Sequence, residues 1–242
     1  MNLLLLSNGT NYGGEFLEYV AEDLNTWAQN STDILFIPFA SSDHQDYLDL
    51  VNTAFKKFVG KEAIGAHSLS FEKNEMDSFS HIFIGGGNSF RLLNSLYKTG
   101  LRDAIMKRVS ENSISYMGSS AGTNMACPTM RTTNDMPIVT PPSFDSLNII
   151  PFQINPHYQD VDPNSIHKGE TREQRLVEFL EENDVPVLGL REGSWIKGEY
   201  GKTLQLGGSL QARMFSRESI YEIDGGASLD FLLRDDYIFD VS

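Results

Sequence analysis

The run Ile114-Ser115-Tyr116-Met117-Gly118-Ser119-Ser120-Ala121-Gly122-Thr123-Asn124-Met125-Ala126 decides how this chain is read. An apolar, β-like segment at 114–117 feeds straight into the pentad 118–122, and small residues able to start a helix follow. A strand, a G-x-S-x-G turn and a helix in that order make a nucleophile elbow, which lifts one serine hydroxyl out of the sheet. The glycines are needed because the turn is cramped, and a Cβ at either flank would strike the neighbouring strand or helix. Ser120 is therefore the candidate nucleophile, with a plain tight turn as the alternative reading of the same five residues.

Outward from the elbow, apolar runs at 2–7, 33–39, 63–68, 81–84, 114–117 and 185–190 read as strands covered on both faces. Helical patterns lie between them at 15–29, 46–59, 89–97, 101–111 and 172–182. That alternation predicts an α/β fold, a mostly parallel sheet flanked by helices. Near the end, 195–202 reads as a hairpin and 212–223 alternates like an exposed antiparallel strand. Nothing along the 242 residues marks a linker or repeat, so one domain over 1–242 is expected. The segment 128–163, rich in Pro, Asn and Thr, is irregular, and long irregular segments in compact domains are more often functional than spare.

Composition narrows the function. A net charge of −14 argues against a nucleic-acid partner, whose phosphates need a basic surface. No run approaches the ~20 apolar residues of a membrane span. The first seven residues read as a buried strand, without the positive flank or small-residue cleavage site of a signal peptide. Cys127 is the only cysteine, so no intrachain disulfide forms and a cytoplasmic location is expected, with Cys127 a small buried hydrophobe. No long amphipathic surface is left over, and a monomer is expected.

A serine nucleophile needs a base, and histidine suits because its unperturbed pKa is ~6.5. Of five histidines, His157 sits in Gln153-Ile154-Asn155-Pro156-His157-Tyr158, where a strand runs out into a Pro-rigidified turn at the functional edge of an α/β sheet. His44, His67, His81 and His167 read as core or surface imidazoles. A third group should fix the imidazole tautomer, and two acids qualify. Asp135 follows the elbow in a loop; Glu192 stands at the end of a buried strand, on a rigid platform. Chain order does not choose between them.

A second glycine cluster, Gly85-Gly86-Gly87-Asn88, follows a buried strand and precedes a helix. It lacks the spacing of a dinucleotide loop and the ending of a P-loop. As an oxyanion hole it would pair a Gly87 amide with that of Ala121; as a plain turn it would do neither. Arg172 stands at a helix start, where the macrodipole disfavours cations, and shares a face with Arg175. Together with Arg131 it is a candidate grip for a carboxylate, since guanidinium binds carboxylate with two parallel hydrogen bonds. Glu170 and Glu173 could instead pair with these arginines as solvated charges.

In their order along the chain, Gly85-Gly86-Gly87-Asn88, Ser119-Ser120-Ala121-Gly122, 131–139, 153–157 and 168–175 resemble the peptidase E family. The resemblance runs from the opening leucines to the strand before Glu192. It implies a serine peptidase on a class-I glutamine-amidotransferase-like α/β fold that cleaves dipeptides with an N-terminal aspartate, without metal or cofactor. It makes Ser120 the nucleophile and His157 the base, and leaves the acid as Asp135 or Glu192. Some of Asn88, Arg131 and Arg172 are expected to meet the aspartate β-carboxylate, and Asp135 or Glu170 the free ammonium. Ser119 stands where relatives carry bulkier residues.

Overall fold

The computed structural model describes residues 1–70, 75–162 and 169–241. Its strands begin with β1 (Asn2–Leu6), β2 (Ile34–Ile37), β3 (Ala63–Gly65), β4 (His81–Ile84), β5 (Ser115–Ser119) and β6 (Gln153–Tyr158). They continue with β7 (Val187–Arg191), β8 (Trp195–Glu199), β9 (Thr203–Gly207), β10 (Ala212–Phe215) and β11 (Ile220–Ile223). The helices are α1 (Ala21–Ala28), α2 (His44–Phe58), α3 (Ser89–Thr99), α4 (Leu101–Ser110), α5 (Ala121–Met125) and α6 (Arg172–Glu182).

The four leucines of β1 set the layers. Successive side chains of a strand point to opposite faces, so a strand apolar at every position must be covered on both. Leu3 and Leu5 enter one core and Leu4 and Leu6 another. The sheet built around them has the order β3-β2-β4-β5-β1-β8-β9, parallel from β3 to β1 and antiparallel at β8 and β9. Helices α1 and α2 cover one face through Leu24, Trp27, Val51 and Phe55. On the other face, α3, α4 and α5 pack with Ile154, Leu188, Leu190 and Met214 of a second sheet, β11-β10-β7-β6. Helix α6 closes the outer side of that second sheet through Leu176 and Leu180 against Val187 and Phe215.

Two features of register position the site. β4 and β5 pair with Ile84 opposite Gly118, so both glycine turns open side by side at one sheet edge. β6 and β7 run parallel, but the pairing breaks between Pro156 and Tyr158. His157 is the bulged residue, with φ at 53°.

The elements differ from expectation in four places. The helix expected over 15–29 begins only at Ala21, because Leu17 turns left-handed at φ 61° to bury its side chain, and a 3₁₀ turn, Glu18–Val20, intervenes. The strand expected over 63–68 ends at Gly65, and Ala66–Ser68 coils into another 3₁₀ turn. The single strand expected over 212–223 is two, β10 and β11, folded back at Ser216, whose amide donates to Ser219 O at 3.0 Å. The run 185–190 belongs to the second sheet, which hydropathy alone does not separate from the first. The hairpin at 195–202 is present as β8 and β9.

Candidate active site

Ser120 links β5 to α5 with φ 54° and ψ −110°, a conformation that costs a non-glycine residue about 1–3 kcal/mol and persists only when its surroundings enforce it. They do so here. The Ser120 amide donates to Leu6 O at 3.1 Å, and Thr123 Oγ1 donates to the same oxygen at 2.6 Å. Tyr116 OH donates to Gly122 O at 2.6 Å. A Cβ on Gly118 would stand 2.5 Å from Gly122 O, and one on Gly122 only 2.0 Å from Ile84 O. No side chain fits at either flank, which is why the pentad is glycine-bounded.

The bulge in β6 turns the His157 ring between two groups. Ser120 Oγ donates to Nε2 at 2.8 Å, and Nδ1 donates to Glu192 Oε1 at 2.6 Å. Both bonds are made by a neutral imidazole carrying its proton on Nδ1. Nε2 is then the free base that can take the hydroxyl proton, and the carboxylate steadies the imidazolium that results. The His157 and Glu192 side chains are 34% and 53% exposed, so water reaches the base directly.

Beside them, Gly87 has φ 134°, and a Cβ there would stand 2.5 Å from Ala40 O. A Cβ on Gly86 would lie 3.1 Å from Ser120 Cβ, which sets this turn against the nucleophile. The Gly86 amide is taken by Tyr47 OH at 2.7 Å. Burial pushes the Tyr47 phenol up to about 12, against the pull of that amide, so it stays neutral. The amides of Gly87 and Ala121 have no acceptor among the described residues. Two such N–H groups can hold an oxyanion.

The remaining expected site residues divide. Asp135 does not reach His157 and is corrected as its orienting acid: Oδ2 accepts the Ser89 amide at 2.7 Å and caps the start of α3. Asn88 is spent on the same helix start, with Oδ1 accepting from the Arg91 amide at 3.0 Å and Nδ2 donating to Met136 O at 2.9 Å. Arg131 is turned away to Asp240, at 2.7 Å, and lies over the Phe239 ring, so its expected grip on a substrate anion is corrected too. Glu170 pairs with Arg175 at 3.5 Å and is exposed. Arg172, the first residue of α6, is different. Its Nη1 is buried with no partner among the described residues. Burial and then Arg175 hold the guanidinium below its usual value, while Glu192 and Asp135 pull it upward.

The other histidines behave as core or surface groups. His81 contacts Trp27 O at 2.9 Å, and the His44 and His67 rings neighbour each other at 5.6 Å. His167 lies outside the described residues. Cys127 is buried, its thiol pushed up to about 12 by burial. Tyr47 is a residue that sequence reasoning passed over. Its one signal is an aromatic hydroxyl on the inward face of an otherwise acidic helix start.

The chain also resembles known peptidases. The family described as Peptidase family S51 matches residues 3–206. A protein named Peptidase E from Streptomyces coelicolor is 52% identical over 234 residues, covering 96% of this chain and 95% of its own. A Drosophila melanogaster protein named probable alpha-aspartyl dipeptidase is 42% identical, covering 96% and 98%. Among solved structures, a peptidase from an acI-B1 actinobacterium superposes with a TM-score of 0.66 over 94% of this chain and 96% of that one; at 19% identity it speaks for the fold. With a profile match over most of its length and close relatives aligned nearly end to end, the chain belongs to Peptidase family S51.

Proposed function

We propose that the protein is a serine dipeptidase that hydrolyses α-linked dipeptides with an N-terminal aspartate. The observation that carries it is the unbroken line Glu192–His157–Ser120, at 2.6 and 2.8 Å, beside the Gly87 and Ala121 amides, which have no acceptor among the described residues. The name of the Drosophila melanogaster relative, probable alpha-aspartyl dipeptidase, supplies the substrate class. His157 takes the Ser120 proton as Oγ attacks the peptide carbonyl, and Gly87 and Ala121 N–H hold the oxyanion. The C–N bond breaks as His157 returns that proton to the leaving amine. Water, deprotonated by His157, then attacks the ester and frees aspartate and Ser120.

Arg172 receives the aspartate β-carboxylate, on the buried Nη1 that has no partner among the described residues. A guanidinium in a partly desolvated pocket outweighs the long-range repulsion of a net-acidic protein, which salt screens beyond ~8 Å. Glu170, two residues earlier, receives the free ammonium. The single, buried Cys127 suits a cytoplasmic enzyme. A fluorophosphonate tests the nucleophile. It should add once to the native protein, at Ser120, and not to Ser120→Ala or to unfolded chain; a native protein that takes no label contradicts the proposal.

A further inference from the structure

The end of β1 and the two residues after it touch the backbone of Ser120, of His157 and of Gly193, the neighbour of Glu192. Leu6 O accepts the Ser120 amide at 3.1 Å. Ser7, fully buried, bridges the two strands where their pairing is interrupted: Oγ accepts the His157 amide at 2.9 Å and donates to Leu190 O at 2.7 Å. Asn8 Oδ1 accepts the amide of Gly193, next to Glu192, at 2.9 Å. From the opposite side, Asn134 Nδ2 donates to Pro156 O at 2.9 Å.

The peptide between Pro156 and His157 is thus held by a side chain at each end, its N–H by Ser7 and its C=O by Asn134. That peptide sets the left-handed backbone of His157, which sits at the break in the β6–β7 register and which a non-glycine residue adopts only under constraint. Rotating it would swing the imidazole off Ser120, and an error of about 1 Å in such a contact can cost ~10²-fold in rate.

We infer that Ser7 and Asn134 are positioning residues for the base: they clamp the Pro156–His157 peptide and so fix the imidazole between Ser120 and Glu192. Neither touches substrate in this scheme, and both act through His157. The inference rests on the reading of Ser120 as nucleophile. It explains why a hydroxyl follows directly on the four leucines of β1, at a buried position where another aliphatic residue would gain apolar burial.

The test is the first-order rate constant of fluorophosphonate labelling at Ser120 in wild type, Ser7→Ala and Asn134→Ala, with each variant's melting temperature measured alongside. A rate constant per labelled site reports geometry, whereas a loss of folded protein lowers only the labelled amount. The expected result is a rate constant at least ~10-fold lower in either folded variant, with a crystal structure showing His157 Nε2 beyond hydrogen-bond distance of Ser120 Oγ. Should Ser7→Ala not fold, Asn134→Ala alone carries the test, since it releases the same peptide from its other end. A wild-type rate constant in the folded variants overturns the inference. A wild-type protein that takes no label overturns the nucleophile reading, and this inference with it, so the two failures are told apart.

Discussion

Glu192 Oε1 lies 2.6 Å from His157 Nδ1, whereas Asp135 gives its Oδ2 to the Ser89 amide. One acid faces the imidazole and the other caps a helix, although both are candidates by sequence. Glu192 is delivered by the rigid end of β7, and Asp135 by a loop that wraps onto α3.

Glu192→Gln and Asp135→Asn should therefore behave differently. Glu192→Gln keeps the shape but favours the wrong tautomer of His157, and kcat on Asp-Leu is expected to fall by about 10²–10⁴-fold. Asp135→Asn keeps an oxygen for the Ser89 amide, and since Asn and Asp cap about equally, it should change Tm and kcat little. The reverse pattern would return the orienting role to Asp135.

Substrate recognition is predicted to follow Arg172, whose buried Nη1 has no partner among the described residues. Arg172→Ala should raise KM for Asp-Leu, and Arg172→Lys should not restore it, because an ammonium cannot present two parallel donors to a carboxylate. Glu170→Gln should raise KM as well. Arg131→Ala, which breaks a pair with Asp240, should leave KM unchanged. Steady-state kinetics on the four variants checks all of this, and an unchanged KM in Arg172→Ala would remove that residue from recognition.

Tyr47 offers a separate handle on the oxyanion turn. Its hydroxyl accepts the Gly86 amide at 2.7 Å and its ring fills the space a Cβ on Gly85 would need. Tyr47→Phe releases the turn next to the Gly87 amide. We expect kcat to drop about 10-fold or more with KM little changed, since an oxyanion donor acts in the transition state and its full loss costs ~10²–10³. A change confined to KM would contradict this.

Acid stability should depend on an ion network behind Glu192. Arg191 donates to Asp160 at 2.7 and 2.8 Å and to Glu222 at 2.8 and 3.1 Å. The Arg191 hydrogen bonds hold both carboxylates below their usual range, and the carboxylates raise Arg191 in turn. A depressed folded-state pKa contributes stability that is present above the unfolded value, near 4, and lost as pH falls through the folded one. The destabilisation caused by Asp160→Asn should accordingly be largest at neutral pH and shrink below about pH 4. Denaturant unfolding at several pH values reads it; a pH-independent difference would contradict the assignment.

Much of this was legible in the sequence, for physical reasons that differ by element. After their first residues, Asn2 and His81, the strands β1 and β4 are apolar at every position, which no solvent-facing structure tolerates, and the pentad 118–122 admits only a tight turn. His157 could be picked out because Pro156 stiffens a strand end. The choice between Glu192 and Asp135 was not legible, since it depends on which loop wraps onto α3. Nor was the misplacement of Arg131, which follows from Asp240, 109 residues away, folding back onto it. Ser7 escaped notice because one serine at a strand end carries no pattern; its meaning comes from His157, 150 residues on.

The central claim is cleavage of an α-aspartyl peptide bond by Ser120, and release of leucine from Asp-Leu tests it most directly. Wild type and Ser120→Ala are assayed on Asp-Leu, Glu-Leu and β-Asp-Leu. The account predicts that wild type releases leucine from Asp-Leu alone and that Ser120→Ala releases none. Leucine from β-Asp-Leu instead, or undiminished release by Ser120→Ala, would contradict it.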